Sequence, residues 1–180
     1  AKSHMNEGVT SGVLGVKGQP DVAETIQASR SILLADYLGV PVHIAHVSAK
    51  RTVDIIAWGK SRGVKVTAET TPHYLTLDDT AVNGYNTLAK VNPPLRTAAD
   101  VAAMREAVKT GVIDMLATDH APHAAHEKET PFDEAPNGFT GMDLALTITY
   151  GLVREGVLTE ADLIRLWATE PARVFNLPVN

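Results

Sequence analysis

The sequence predicts an α/β fold with a parallel sheet, as one piece of a larger βα architecture. Three short segments rich in β-branched or apolar residues alternate with helical segments of roughly 10 to 20 residues, which is the pattern of βα units. None of the three segments alternates cleanly between apolar and polar residues, so both faces of the sheet are predicted to be covered. Three parallel strands make a thin sheet for so many helices, which favours a part of a larger fold.

The first half of the chain supplies two helices and two strands. Residues 20–38 carry apolar positions at helical spacing and are followed by Gly39, a residue typical of helix ends. The β-branched segment 41–47 is predicted to be a strand. A helix is predicted over 49–63, and the strand 64–70 follows it.

The second half continues the alternation. The segment 86–96 is predicted to hold a short extended piece before its paired prolines. A helix is predicted over 98–110, closed by Gly111, and a strand over 112–118. Two further helices are predicted, at about 141–155 and 159–169.

Composition narrows the class of protein. The 180 residues, 44% hydrophobic and 21% charged, are ordinary for one globular domain. A net charge of −5 argues against nucleic-acid binding, which needs a basic surface. No apolar run approaches the roughly 20 residues that span a bilayer, and a cytoplasmic location fits. Because the chain has no cysteine, any metal site must use His, Asp or Glu.

Polar side chains follow all three predicted strands. In parallel βα folds the loops after the carboxyl ends of the strands converge, and chemistry collects there. The three exits read "HIAHVSAK", "AETTPHYL" and "ATDHAPH". Their coincidence predicts a functional site more strongly than any one of them.

His46 is the ligand candidate of the first exit. His43 and His46 are three residues apart, so on a strand they are predicted to point to opposite faces. His46 lies nearer the exit and is preferred. The alternative is a buried histidine satisfied by a backbone carbonyl.

Asp119 is the sharpest candidate. A carboxylate after an apolar strand is costly to bury unless it is paired or binds metal. The alternative is a helix N-cap, although Pro122 disfavours helical geometry at the preceding residue. His120 is a candidate to hold Asp119, and His123 a candidate to reach over the site to a ligand.

The remaining polar residues are more ambiguous. His73 is either a solvated loop histidine or, less favoured, a direct metal ligand. Asn92 sits in a turn stiffened by two prolines, and turn chemistry alone is one explanation for it. The segment 126–128 reads as a solvated loop.

Five motifs in order resemble those of a known family. The segments "HIAHVSAKRTVDII", "VTAETTPHYL", "AKVNPPLR", "IDMLATDHAPHAAHEK" and "PFDEAPNGFTGMDLAL" resemble bacterial type I dihydroorotases of the amidohydrolase superfamily. Allantoinases and hydantoinases share "HVS", "PHYL" and "DH", whereas "NPPLR" together with "TDHAPH" is more similar to dihydroorotase. The resemblance covers essentially the whole chain.

The resemblance implies a fold and site residues. The chain would be a partial (β/α)8 TIM-type barrel of the metal-dependent hydrolase superfamily, with residues 1–180 forming the C-terminal portion of the barrel domain and about its last three strands. By this resemblance His46 is a metal ligand, and Asp119 is both a metal ligand and the catalytic base. The family pattern does not make His73 a ligand. Substrate binding is implied for four residues, the last two largely through their backbone: Asn92, His123, Asn137 and Gly138.

The resemblance also implies the chemistry. Dihydroorotases interconvert N-carbamoyl-L-aspartate and dihydroorotate in pyrimidine biosynthesis, with two zinc ions in each complete site. The family's H-x-H pair, bridging carboxylate and further histidine are absent from this sequence. The isolated chain is therefore expected to bind zinc weakly or not at all and to be inactive alone.

Other functions and partners stay open from the sequence. The alternatives are an allantoinase or hydantoinase, or a non-catalytic dihydroorotase-like subunit of an aspartate transcarbamoylase complex. The expected partners are a small-molecule substrate and either a second copy or aspartate transcarbamoylase, with no nucleic acid and no membrane. An open half-barrel would leave strand edges and apolar faces exposed, which favours self-association or a covering partner.

Overall fold

A computed structural model describes residues 3–178, so the ends of the predicted 1–180 domain lie outside the described residues. Its strands are β1 (Met5–Asn6), β2 (Gly18–Gln19), β3 (Val42–Ile44), β4 (Val66–Thr70) and β5 (Met115–Leu116). Its helices are α1 (Val9–Leu14), α2 (Asp21–Leu38), α3 (Lys50–Ser61), α4 (Ala98–Thr110), α5 (Ala125–Lys128), α6 (Met142–Arg154), α7 (Glu160–Ile164) and α8 (Glu170–Val174). Within the described range, no helix combines the length and apolar character needed to span a membrane.

The predicted parallel sheet is present. Strands β3, β4 and β5 lie in that order and pair in parallel, with Val42 opposite Val66 and Glu69 opposite Met115. All three carboxyl ends therefore lie at one edge. The strands are shorter than predicted, although backbone bonds from Asp114 to Ala68 and from Ala117 to Thr70 extend the pairing of β5.

The helices pack on the sheet and contribute to the core. Helix α2 starts after Pro20 and ends at Gly39, whose φ of 69° is the left-handed conformation that glycine adopts easily. It packs on α3, which packs on α4. The fully buried core side chains include Ile32, Ile56 and Met104. The helices predicted over 20–38 and 98–110 are confirmed almost to the residue.

The structure adds one pair of strands to the prediction, corrects one segment, and refines one helix that was predicted correctly. Strands β1 and β2, which form a separate two-stranded parallel sheet, were not predicted, because two-residue strands show no periodicity. The segment 86–96 holds a short 3₁₀ helix, Thr87–Ala89, in place of an extended piece. The helix predicted over 159–169 is α7 continued by a π-helical turn, Arg165–Thr169.

Asp114 anchors β5 at the end opposite its polar exit. Both of its carboxylate oxygens accept from Lys60 Nζ at 2.8 Å, and Oδ2 also accepts from the amide of Ala68 on β4. Since Asp119 follows the other end of β5, this buried carboxylate fixes the strand that leads to the candidate site.

We expect Asp114→Asn to lower the free energy of unfolding of this chain by about 1–3 kcal/mol, because charge-assisted hydrogen bonds are lost in a buried place. Urea unfolding at a fixed protein concentration measures the change. The exposed Asp54→Asn is the matched control and should change stability by less than about 0.5 kcal/mol. Equal effects of the two substitutions would contradict the anchoring role.

Candidate active site

The predicted ligands from two different strands meet at the carboxyl edge of the sheet. His46 follows β3 and Asp119 follows β5, and Nε2 of His46 lies 3.7 Å from Oδ1 of Asp119. Glu69, near the end of the central strand β4, lies between them along the sheet. The sequence reasoning did not single out Glu69, although a charged residue inside a strand predicted to be buried was an available signal.

Both His46 and Asp119 have strained backbones. Their φ angles are +54° and +46°, in the left-handed region that non-glycine residues seldom adopt. Such conformations cost of the order of 1–3 kcal/mol and concentrate at functional sites, where the surrounding structure holds them. The left-handed backbone distinguishes both residues from an extended strand exit, and their side chains approach each other to 3.7 Å.

Glu69 contacts both histidines of the first exit. Its Oε2 lies 3.2 Å from Nε2 of His43, and its Oε1 lies 3.1 Å from Nδ1 of His46. The prediction that the two rings point to opposite faces was therefore wrong. Strand β3 ends at Ile44, and the left-handed turn at His46 breaks the alternation of side chains that the prediction assumed.

These contacts shift the pKa values of the cluster. Burial alone would raise the pKa of Glu69, but its contacts with His43 and His46 hold it at about 2. The neighbouring Glu69 raises the pKa of His46 against the effect of burial. Nδ1 of His46 lies close to the Glu69 carboxylate, although the two groups are not aligned for a hydrogen bond. Burial raises the pKa of Asp119, with Glu69 adding to the shift and His46 opposing it.

His46 and Asp119 fit a shared metal ion as two of its ligands. The contact of Nδ1 with Glu69 leaves Nε2 of His46 to face the Asp119 carboxylate. Their 3.7 Å separation is shorter than two zinc–ligand bonds laid end to end, about 4 Å, so one ion can reach both atoms. Across residues 3–178 no group of three or more His, Asp or Glu is arranged to hold a metal, and catalytic zinc takes at least three protein ligands.

Three of the predicted substrate-binding residues lie together. Nε2 of His123 donates to the carbonyl oxygen of Asn137 at 2.9 Å. Gly138 has a φ of +115°, and a Cβ built there would lie 2.6 Å from Cβ of Ala121 and 3.5 Å from the His123 ring. Only glycine allows this close approach, so the loop rests directly on the segment that follows Asp119.

Asn92 and His73 differ in exposure, and His73 contacts Phe139 at the end of this loop. Asn92 is exposed, before a cis bond to Pro93, and the hydroxyl of Tyr74 donates to the carbonyl oxygen of Pro93. His73 was expected to be solvated, but it is only 4% exposed and packs edge-on against Tyr74 and Phe139. Burial lowers its pKa to about 3.

Two further predictions were wrong. His120 was a candidate to hold Asp119, but its Nδ1 instead accepts from the amides of Gly141 and Met142 and fixes the start of α6. The segment 126–128 was interpreted as a solvated loop, yet it belongs to the short helix α5, and Lys128 is buried. A lysine beside polar residues gave no local sign of burial.

A buried ion pair that sequence reasoning missed supports the loop after His46. Glu24 on α2 accepts from the amides of Ser48 and Ala49 at 3.1 Å. Arg96, 1% exposed, donates to Ser48 Oγ at 3.1 Å and lies 3.6 Å from Glu24. The Glu24 carboxylate satisfies backbone donors where α3 begins, and Arg96 holds the Ser48 hydroxyl beside it, so the pair restrains the chain two residues past His46.

Known proteins are similar to this chain both in sequence and in structure. The chain is 54% identical over 173 residues to a dihydroorotase of Trichlorobacter lovleyi, covering 96% of this chain and 41% of that protein. It is 51% identical over 175 residues to a dihydroorotase of Acetivibrio thermocellus, with the same coverage. The chain thus spans about two fifths of the length of these relatives. No family model matches it.

Solved structures of cyclic amide hydrolases share the fold. A dihydropyrimidinase from Brevibacillus agri superposes with a TM-score of 0.83 at 27% identity, covering 88% of this chain and 36% of that one. An L-hydantoinase from Arthrobacter aurescens gives a TM-score of 0.83 at 29% identity, with the same coverage. The predicted fold class, a partial amidohydrolase-type α/β barrel, is confirmed. Over 96% of its length, the chain is about half identical to proteins named dihydroorotase, of which it spans a part.

Proposed function

We propose that the protein containing this chain is a dihydroorotase, which reversibly cyclises N-carbamoyl-L-aspartate to dihydroorotate in pyrimidine biosynthesis. The observation that carries the proposal is the convergence of His46 and Asp119 at 3.7 Å, on strained backbones, in a chain about half identical to dihydroorotases. The proposal includes a cytoplasmic location and places residues 1–180 in the C-terminal portion of the barrel domain.

Asp119 is the proton carrier in this proposal. Its half-buried carboxylate, with a raised pKa, takes a proton from the attacking water and gives it to the departing ring nitrogen. In the biosynthetic direction it removes that proton. His46 and Asp119 would hold zinc, which when bound activates water and polarises the carbonyl oxygen.

The remaining residues orient the reactants. Glu69 faces Nδ1 of His46 and leaves Nε2 as the ligand atom, as carboxylate partners of metal-binding histidines commonly do. Asn92, His123 and the backbone of Asn137 and Gly138 would position the ring and carboxylate of the substrate. The chain supplies two of the family's metal ligands, so we propose two zinc ions only for a complete site and no activity for this chain alone.

Exposed apolar side chains support the proposal of a partner. Ile26, Leu33 and Tyr37 lie exposed along α2, and Leu146 and Tyr150 along α6. Faces of this kind are normally covered by other protein. A second copy and aspartate transcarbamoylase are the partners that the dihydroorotase proposal brings with it.

The direct test replaces the aligned 173-residue segment of the Trichlorobacter lovleyi dihydroorotase with this chain. We expect this chimera to turn over dihydroorotate, with kcat/KM at least about 10³-fold higher than for hydantoin, dihydrouracil or allantoin. A site built to bind the substrate carboxylate rejects rings that lack it. Spectrophotometric assays with each ring, before and after chelation of zinc, measure this preference.

The hydantoinase alternative has its own support in the structural neighbours. A chimera that preferred hydantoin or dihydrouracil would establish that alternative and contradict ours. A chimera that binds zinc as the parent does, yet turns over none of the rings, would favour the non-catalytic subunit.

A further inference from the structure

Two buried lysines hold the loop that carries Asn137 and Gly138. The chain between α5 and α6 forms no helix or strand in the described residues, so its backbone carbonyls need partners outside regular secondary structure. Lys90 is 3% exposed and Lys128 is 5% exposed, although lysine is almost never so deeply buried without such partners. Burial of both lysines indicates a role other than that of solvated surface charges.

The ammonium groups act as multiple donors to the loop. Lys90 Nζ donates to the carbonyl oxygens of Phe132 at 2.6 Å and Ala135 at 2.7 Å, with Asp133 at 3.3 Å. An ammonium group has three donors, so these contacts hold the turn at residues 132–135 at one point.

Lys128 also donates to backbone carbonyl oxygens at this loop. Its Nζ donates to the carbonyl oxygens of Pro136 at 2.8 Å, Thr87 at 3.1 Å and Lys90 at 3.3 Å. The carbonyl oxygen of Lys90 also accepts from the amide of Gly138 at 2.9 Å. The two lysines therefore tie the loop to the segment that leads into Asn92.

We propose that Lys90 and Lys128 are positioning residues, which clamp residues 131–138 so that Asn137 and Gly138 present their backbone to the substrate beside His123. This inference rests on the proposed function, since it assigns substrate contact to the loop. The clamp acts through the loop, and neither ammonium group contacts the substrate. Burial, with the neighbouring Lys90 adding to it, lowers the pKa of Lys128, which is the electrostatic cost of placing two cations here.

The kinetic test uses Lys128→Met in the chimera, which keeps the length of the side chain and removes its donors. We expect KM for dihydroorotate to rise about 10- to 100-fold with kcat changed less than about threefold, because a displaced binding loop weakens capture of the substrate. Lys128→Arg should recover part of the loss, and the exposed Lys109→Met is the matched control. An unchanged KM, or an equal fall in kcat with no rise in KM, would overturn the proposal.

Hydrogen exchange in the 180-residue chain tests the clamp without any activity. Lys128→Met should speed exchange in a peptide covering 130–141 and leave a peptide covering 66–75 unchanged. Equal loss of protection in both peptides would mean that the lysine is a general stabiliser and would overturn the proposal. If Lys128→Met does not fold, Lys128→Gln, which keeps an amide donor, is judged by the same criterion. An inactive chimera with the expected exchange result would count against the proposed function and leave the clamp standing.

Discussion

Asp119→Asn in the chimera is expected to lower kcat for dihydroorotate by at least about 10³-fold. Asparagine keeps the size of the side chain and one oxygen, but it neither accepts a proton nor offers a charged ligand. General acid–base catalysis alone is worth about 10²–10⁴-fold, and the loss of a carboxylate ligand adds to that. Steady-state assays in both reaction directions measure the change.

The loss of activity is expected for Asp119 and not for an aspartate away from the site. Asp119 lies at the carboxyl edge beside His46, whereas Asp54 lies exposed on α3. Asp54→Asn should leave kcat within about twofold of the unchanged chimera, since surface substitutions away from the site have small effects. Retention of more than about a tenth of the activity by Asp119→Asn would remove Asp119 from its catalytic role.

Zinc content separates the two functions assigned to Asp119. Metal analysis of the purified variant should show reduced zinc, because a ligand has been weakened. A variant that keeps full zinc and loses activity would confine the residue to proton transfer. Restoration of activity by excess zinc would instead confine it to metal binding.

The sequence located the candidate site through positions that the topology brings together. Asp119 stood out because a carboxylate after an apolar strand is costly to bury, and the parallel sheet then placed it beside His46. The carboxyl edge of a parallel sheet is predictable because every strand ends there. Side chains alternate between the two faces only within a strand. Strand β3 ends before His46, so the predicted opposite orientation of His43 and His46 was wrong.

The residues that sequence reasoning missed act through long-range contacts. Lys128 binds carbonyl oxygens on segments about 40 residues earlier, and Arg96 joins β2, α2 and the loop after β3. No local pattern marks such a lysine or arginine, because both types are usually solvated. Strands β1 and β2 were missed for a related reason, since pairing with each other, rather than periodicity, defines them.

Substitution of His73 is expected to have a large effect on the stability of the chain at acid pH. Its ring packs between Tyr74 and Phe139, its Nε2 has no hydrogen-bond partner, and burial lowers its pKa to about 3 from the ordinary histidine value of 6.5. Between pH 3 and pH 6.5, His73 is protonated in the unfolded chain and neutral in the folded chain. Stability therefore falls as the pH decreases through this window, and above it the residue imposes no such penalty.

We expect His73→Phe to remove most of this acid sensitivity. The penalty from His73 grows to on the order of 4 kcal/mol as the pH falls from 6.5 to 3, because each pKa unit corresponds to about 1.4 kcal/mol. Phenylalanine keeps an aromatic ring against Tyr74 and Phe139 and does not titrate. Urea unfolding of the chelator-treated chain at pH 7 and pH 4 gives the difference in free energy for each variant.

The change in the free energy of unfolding between pH 7 and pH 4 distinguishes the titration of His73 from an effect on packing. A poorer fit of the phenylalanine ring would lower stability equally at both pH values, whereas loss of the titrating group changes only the difference between them. His126→Phe, at an exposed position, tests whether removal of any histidine suffices. If His73→Phe and the unchanged chain lost the same free energy between pH 7 and pH 4, His73 would not be the group that limits the fold in acid. The acid sensitivity would then have to arise elsewhere, with the carboxylate of Glu69, whose pKa is lowered, as the next group to test.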